Sequence, residues 1–126
     1  MKEGYGMFDD IIGFHTKFDL TYDGPPRILP PDLEPFRLRF MEEELDEYRY
    51  ASTLEKKLDA LVDICYVAMG TAYLAGFDFD EAWRRVHAAN MKKIKAAPDG
   101  SNSARKSKHD VVKPDGWTAP DLSDLV

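Results

Sequence analysis

The stretch ALVDICYVAMGTAYLAGF, residues 60–77, carries one charged side chain, Asp63, and follows directly on Asp59. A carboxylate inside an apolar run is costly unless something pairs with it. Thr53 suits an N-cap and Gly76 a terminator, so the run predicts a helix from about Thr53 to Ala75. Leu58, Leu61, Cys65, Ala68 and Ala72 form one of its faces, while Asp59, Asp63, Tyr66 and Gly70 follow another. A helix apolar nearly all round is buried on several sides, which in so short a chain predicts packing between subunits. The run approaches membrane-spanning length, but Asp63, Gly70, Thr71 and Gly76 argue against a span.

Upstream, Glu42-Glu43-Glu44-Leu45-Asp46-Glu47 lies in a helix expected to begin near Pro31 or Asp32 and to reach about Tyr50. Leu38, Met41, Leu45 and Tyr48 make one apolar stripe. Phe36, Phe40, Glu44, Glu47 and Ala51 make a second, in which two carboxylates take core-facing positions. Helical spacing puts Glu43 with Glu47, Glu44 with Glu47, and Asp59 with Asp63 on shared faces. Taken alone, the glutamate cluster reads as a solvated helix face. Beside Asp63 it becomes half of an oxygen-rich site, which suits a hard divalent cation, Mg2+ first and Mn2+ as its substitute.

The remaining segments complete an all-α helical bundle in one domain, 1–126. Phe8, Ile11, Ile12, Phe14 and Phe18 predict a first helix, ended by Asp23-Gly24-Pro25-Pro26 and Pro30-Pro31. Asp78 and Glu81 suggest a capping box for a fourth helix through about Ile94, with Trp83, Val86, Asn90 and Ile94 as its inward stripe. From about residue 96 the chain reads as an irregular basic tail containing Arg105, Lys106, Lys108 and Lys113. A net charge of -6 over 126 residues disfavours a broad nucleic-acid surface, and no membrane partner is expected. The single cysteine, Cys65, fits a reducing compartment, and Met1–Tyr5 lacks the pattern of a secretory signal. The expected location is cytoplasmic. His15, His87 and His109 show no zinc spacing, and there is no P-loop.

Glu43-Glu44-Leu45-Asp46-Glu47, the Asp59/Asp63 pair and Val86-His87-Ala88-Ala89-Asn90-Met91-Lys92-Lys93 resemble the all-α nucleoside triphosphate pyrophosphohydrolases, the MazG-like group. Relatives include the dimeric dUTPases and phosphoribosyl-ATP pyrophosphohydrolase. Phe14-His15 and Lys113-Pro114-Asp115-Gly116-Trp117-Thr118-Ala119-Pro120 bring the chain nearest to small phage MazG-like proteins. The family's first motif, two glutamates separated by two residues, falls on Glu44 and Glu47. Its second has glutamate three residues before aspartate; Asp63 matches, but Ala60 stands where the glutamate belongs, and Asp59 is one position away.

The resemblance implies a homodimer or homotetramer that cleaves a nucleoside triphosphate between its α- and β-phosphates. Glu44, Glu47, Asp63 and Asp59 would hold Mg2+, with Glu43 orienting or deprotonating the attacking water, although Glu44 and its neighbours can exchange that role. Asn90, Lys93 and Lys113 would contact the metal-phosphate end of the substrate. Deoxynucleotide pool control in a phage context follows, with dGTP as the substrate guess and host cytoplasm as the location.

Some readings stay open at this stage. Asp59 is a ligand or a partner of Lys56 or Lys57. Asn90 supports phosphate or satisfies a buried backbone group. His15 joins Phe14 and Phe18 in a base pocket, or, as preferred, the phenylalanines are core and His15 is at the surface or an interface. Trp83 and Trp117 read as packing residues. A noncatalytic helical interaction protein, binding a structural cation or a basic partner, is the rival to an enzyme.

Overall fold

A computed structural model of the chain describes residues 6–126; Met1–Tyr5, read above for a secretory signal, lies outside the described residues. Four helices follow in order: α1 Met7–Lys17, α2 Glu34–Tyr50, α3 Leu54–Leu74 and α4 Phe79–Asn90. After them come two short strands, β1 Ile94–Lys95 and β2 Val111–Val112, and a 3-10 turn at Ser123–Leu125. The protein is an all-α helical bundle, as the sequence predicts. It forms two compact units, the first running through Phe79 with Leu125–Val126 added, the second spanning Asp80–Asp124. No helix among the described residues is long and apolar enough to cross a membrane.

In the first unit α1 and α2 both pack on α3. The caps of α3 are those its sequence announces: Thr53 Oγ1 accepts the Lys56 N–H at 3.2 Å, and Gly76 follows the helix at φ 74°. Gly76 is needed twice over, because a Cβ there would also come within 2.9 Å of the Pro25 carbonyl oxygen. The α2 helix starts later than expected. Leu33 and Glu34 N–H both donate to the Pro30 carbonyl at 2.9 Å, closing a separate turn before the helix proper. Ala51–Thr53 then connects α2 to α3 as a tight helical hairpin.

Residues 20–29 are stapled to the C-terminal end of α3. The Arg27 guanidinium lies 3.6 Å from the Tyr22 ring centroid, and its Nε donates to the Leu74 carbonyl at 3.0 Å. Beneath this, Leu29, Leu74 and Ala75 form a small core with Leu33 and Tyr73 against it.

The faces that pack agree only in part with the stripes that periodicity selects: Glu44 and Ala72 are buried as those stripes imply, but their leucines are not. On α2 the buried residues are Arg37 and Glu44, whereas Leu38 and Leu45 are 53% and 49% exposed. On α3 the buried set is Ala60, Val67, Gly70, Ala72 and Leu74, while Leu58, Leu61 and Cys65 face outward. The physical reason is fit: Gly70 of α3 leaves room for the long Arg37 side chain of α2, which a Cβ there would meet at 2.8 Å.

The second unit departs similarly. Its helix α4 ends at Asn90, four residues short of the expected Ile94. Lys92 and Lys93 N–H reach carbonyls only three residues back, at 3.1 Å each, which tightens the last turn. Ile94 and Lys95 then pair antiparallel with Val112 and Val111, an outcome that suits β-branched side chains. The expected inward stripe is exposed at Trp83, Val86, Asn90 and Ile94; Ala89 is the buried position of the helix.

The segment expected as a basic tail carries five aspartates against four lysines and arginines, and it is tied down in several places. Ser103, 1% exposed, donates from Oγ to Asp110 at 2.7 Å, and Arg105 pairs with the same carboxylate at 3.0 Å. Arg85 binds Asp124 at 2.6 Å, and Trp117 Nε1 donates to the Ala89 carbonyl at 2.8 Å. Trp117 is therefore a packing residue, as expected, whereas Trp83 is 64% exposed.

Candidate metal centre

Glu44 and Glu47 lie on adjacent turns of α2, and Asp63 faces them from α3. One ligand oxygen of each falls within 4.8 Å of the other two. Among the described residues this is the one cluster of metal-ligating side chains. Glu44 is buried, Asp63 half-buried and Glu47 exposed, so the site opens outward from a floor set by Glu44.

Its electrostatics disfavour three simultaneous negative charges. Glu44 Oε2 is buried with no hydrogen-bond partner. Burial first, then hydrogen-bonding contact with Glu47, then the charges of Glu47, Asp63 and Glu43 push the Glu44 carboxyl up to about 7. Asp63 is raised as well, by burial and then by the charges of Asp59 and Glu47. An orphaned buried oxygen among three mutually repelling carboxylates is relieved by a proton or by a cation, and a cation relieves all three groups at once. The donor set fits a hard metal ion, and the trio can coordinate one.

The other expected site residues are distributed more widely. Glu43 and Asp59 are exposed and stand outside the trio, although the charge of each acts on it. Asp59 lines an open groove of about 740 Å³ with Thr53, Lys56 and Val62, and makes no ion pair with Lys56 or Lys57. Ala60, at the family's glutamate position, is only 2% exposed.

His15 is not at the surface. It is buried, its Nδ1–H donates to the Leu20 carbonyl at 2.9 Å, and its ring lies 4.8 Å from that of Tyr73. Burial holds its pKa below the usual value, so the ring is neutral. Phe14 meets Tyr66 edge-on at 5.3 Å, a packing contact between helices.

In the second unit Asn90 closes α4 and is exposed. The ammonium groups of Lys93 and Lys113 lie 5.3 and 5.0 Å from the Trp117 ring.

Sequence reasoning missed Arg37. It is 7% exposed, yet donates to Thr71 Oγ1 at 3.1 Å and to the Val67 carbonyl at 3.0 Å. The available signal was its place seven residues before Glu44, two turns along one helical face.

Residues 12–90 match the family described as Phosphoribosyl-ATP pyrophosphohydrolase. That segment is more than half of the chain; it holds Glu44, Glu47 and Asp63 but neither Lys93 nor Lys113. No curated protein matches. The trio and the matched segment lead to one assignment: the chain belongs to the phosphoribosyl-ATP pyrophosphohydrolase family, within the hydrolase-type all-α NTP pyrophosphatase superfamily.

Proposed function

We propose that the protein is a Mg2+-dependent nucleoside triphosphate pyrophosphohydrolase of the MazG-like kind, acting on a deoxynucleoside triphosphate, with dGTP as the preferred candidate. The observation that carries this reading is Glu44 Oε2, buried and unpartnered within the carboxylate trio. A noncatalytic acidic face would leave its carboxylates in water rather than hold one buried at such cost.

Glu44, Glu47 and Asp63 hold the metal, and Mn2+ can replace Mg2+ there. When bound, the ion supplies positive charge to the phosphate oxygens of the substrate. Glu43, exposed beside the trio, orients the attacking water and accepts its proton. Water oxygen bonds to the α-phosphorus and the bond to the bridging oxygen breaks, leaving a monophosphate and pyrophosphate. On the resemblance, Asn90, Lys93 and Lys113 serve as phosphate contacts. Asp59 acts on Asp63 through its charge and completes the ligand set where Ala60 replaces the family's glutamate.

The product decides the reaction. A panel of ribo- and deoxynucleoside triphosphates, together with phosphoribosyl-ATP, is expected to show Mg2+-dependent release of pyrophosphate by phosphorus NMR. Stepwise release of inorganic phosphate would reject the proposed bond cleavage. Turnover of phosphoribosyl-ATP alone would replace the deoxynucleotide assignment.

The same reading includes a homodimer or homotetramer. Leu54, Leu58, Leu61 and Val62 of α3 are 90%, 64%, 48% and 54% exposed, and Leu38 and Leu45 of α2 add to this apolar surface. Light scattering over a dilution series is expected to find at least two chains per particle. A fully active monomer would rule this out.

A further inference from the structure

We infer that Arg37 is a positioning residue for the carboxylate trio, pinning α2 to α3 in the register that brings Glu44 to Asp63. This rests on the metal-site reading above. Arg37 is buried, and among the described residues no carboxylate pairs with it. Its guanidinium is held by neutral groups of α3: Nε donates to Thr71 Oγ1, Nη2 donates to the Val67 carbonyl, and Thr71 Oγ1 donates to that same carbonyl at 2.7 Å. The planar fork satisfies these acceptors in one orientation only, unlike a flexible ammonium.

The surroundings are shaped to receive it. A methyl group on Gly70 would come within 2.8 Å of Arg37 Nη2 and 3.0 Å of His15 Nε2. Glycine at position 70 and a neutral His15 thus leave room for the guanidinium and add no second positive charge.

The pin and the metal site share a face on each helix. Glu44 follows Arg37 by two turns of α2, about 10.5 Å along the axis. On α3, Asp63 precedes Val67 by one turn and Thr71 by two. A slip of one residue in this pairing would displace Glu44 by about 1.5 Å along its helix and turn it by about 100°. The trio would then lose its buried member. A buried cation without a counter-ion is a poor source of stability, and an apolar residue of similar volume often serves the fold as well. Register is what the arginine adds.

The test is Mn2+ affinity, measured by electron paramagnetic resonance on the full chain, for wild type, Arg37→Met, Gly70→Ala and Leu29→Ala. Gly70→Ala keeps the arginine but displaces it, so it remains informative should Arg37→Met misfold. Leu29→Ala loosens the small core at the C-terminal end of α3 without touching Arg37 or the trio, and controls for general destabilisation. Both Arg37→Met and Gly70→Ala are expected to weaken Mn2+ binding about tenfold or more, the scale for groups that orient metal ligands, while Leu29→Ala leaves it unchanged. Affinity unaltered in both pin variants, or weakened equally by Leu29→Ala, would overturn the pin and leave the metal site standing. Wild-type protein without saturable Mn2+ binding would overturn both.

Discussion

Glu44→Gln is expected to lower metal-dependent turnover by at least about a hundredfold, the scale for removing a principal electrostatic support, with helix content unchanged. The amide keeps the shape of the carboxylate, and only the charge is lost. Glu44 is the buried member of the trio and the one with an unpartnered oxygen, so its replacement removes the floor of the site. Glu47→Gln is expected to have the same direction of effect, since Glu47 faces Glu44 and Asp63 within 4.8 Å. Steady-state kinetics at limiting Mg2+ measure both. Near-wild-type turnover in the two variants would remove these residues from the metal site.

Metal-free protein is expected to lose stability between about pH 5 and pH 7 through Glu44, by roughly 1–2 kcal/mol once solvent screening is allowed for. The sign follows from the direction of the shift. The folded chain holds Glu44 at about 7 against an ordinary 4.5, so between these values the folded state keeps a proton that the unfolded state has released. Stability is therefore greatest below the unfolded value and falls as pH rises through the window. Asp63, also raised, acts in the same direction. His15 opposes them: its lowered pKa means that folding is favoured above the ordinary histidine value and weakened as acid protonates the ring.

The measurement is accordingly a difference. Wild type and Glu44→Gln are melted across the window, and the wild-type melting temperature is expected to fall relative to the variant by on the order of 5 °C. Saturating Mg2+ should shrink this difference, because the ion replaces the proton. Parallel profiles in the absence of metal would mean that Glu44 carries its charge at no cost, contrary to its burial.

The helices and the carboxylates of the candidate metal centre were legible in the linear chain. Thr53 and Gly76 bracket α3 within two residues of its observed ends, because capping depends on neighbouring backbone groups alone. Glu44, Glu47 and Asp63 stood out for a similar local reason: helical spacing aligns the first two, and an isolated carboxylate in an apolar run needs a partner wherever the run is placed. The end of α4 was less accessible, since Ile94 leaves the helix to pair with Val112, 18 residues further along.

Tertiary structure alone decided which helical faces meet. Periodicity ranks faces by hydrophobicity, so it selected Leu38 and Leu45 on α2, and Leu58 and Leu61 on α3. The fold joins α2 to α3 where Arg37 meets Val67, Gly70 and Thr71 and where Glu44 faces Asp63, because close approach depends on the sizes of facing side chains. That choice made His15 an interior group and exposed Asp59, one helical step from buried Ala60. It also made Arg37 part of the site: its position on α2 is written in the chain, but the Val67 carbonyl and Thr71 hydroxyl that hold it are 30 and 34 residues away and come within reach only when the two helices pack.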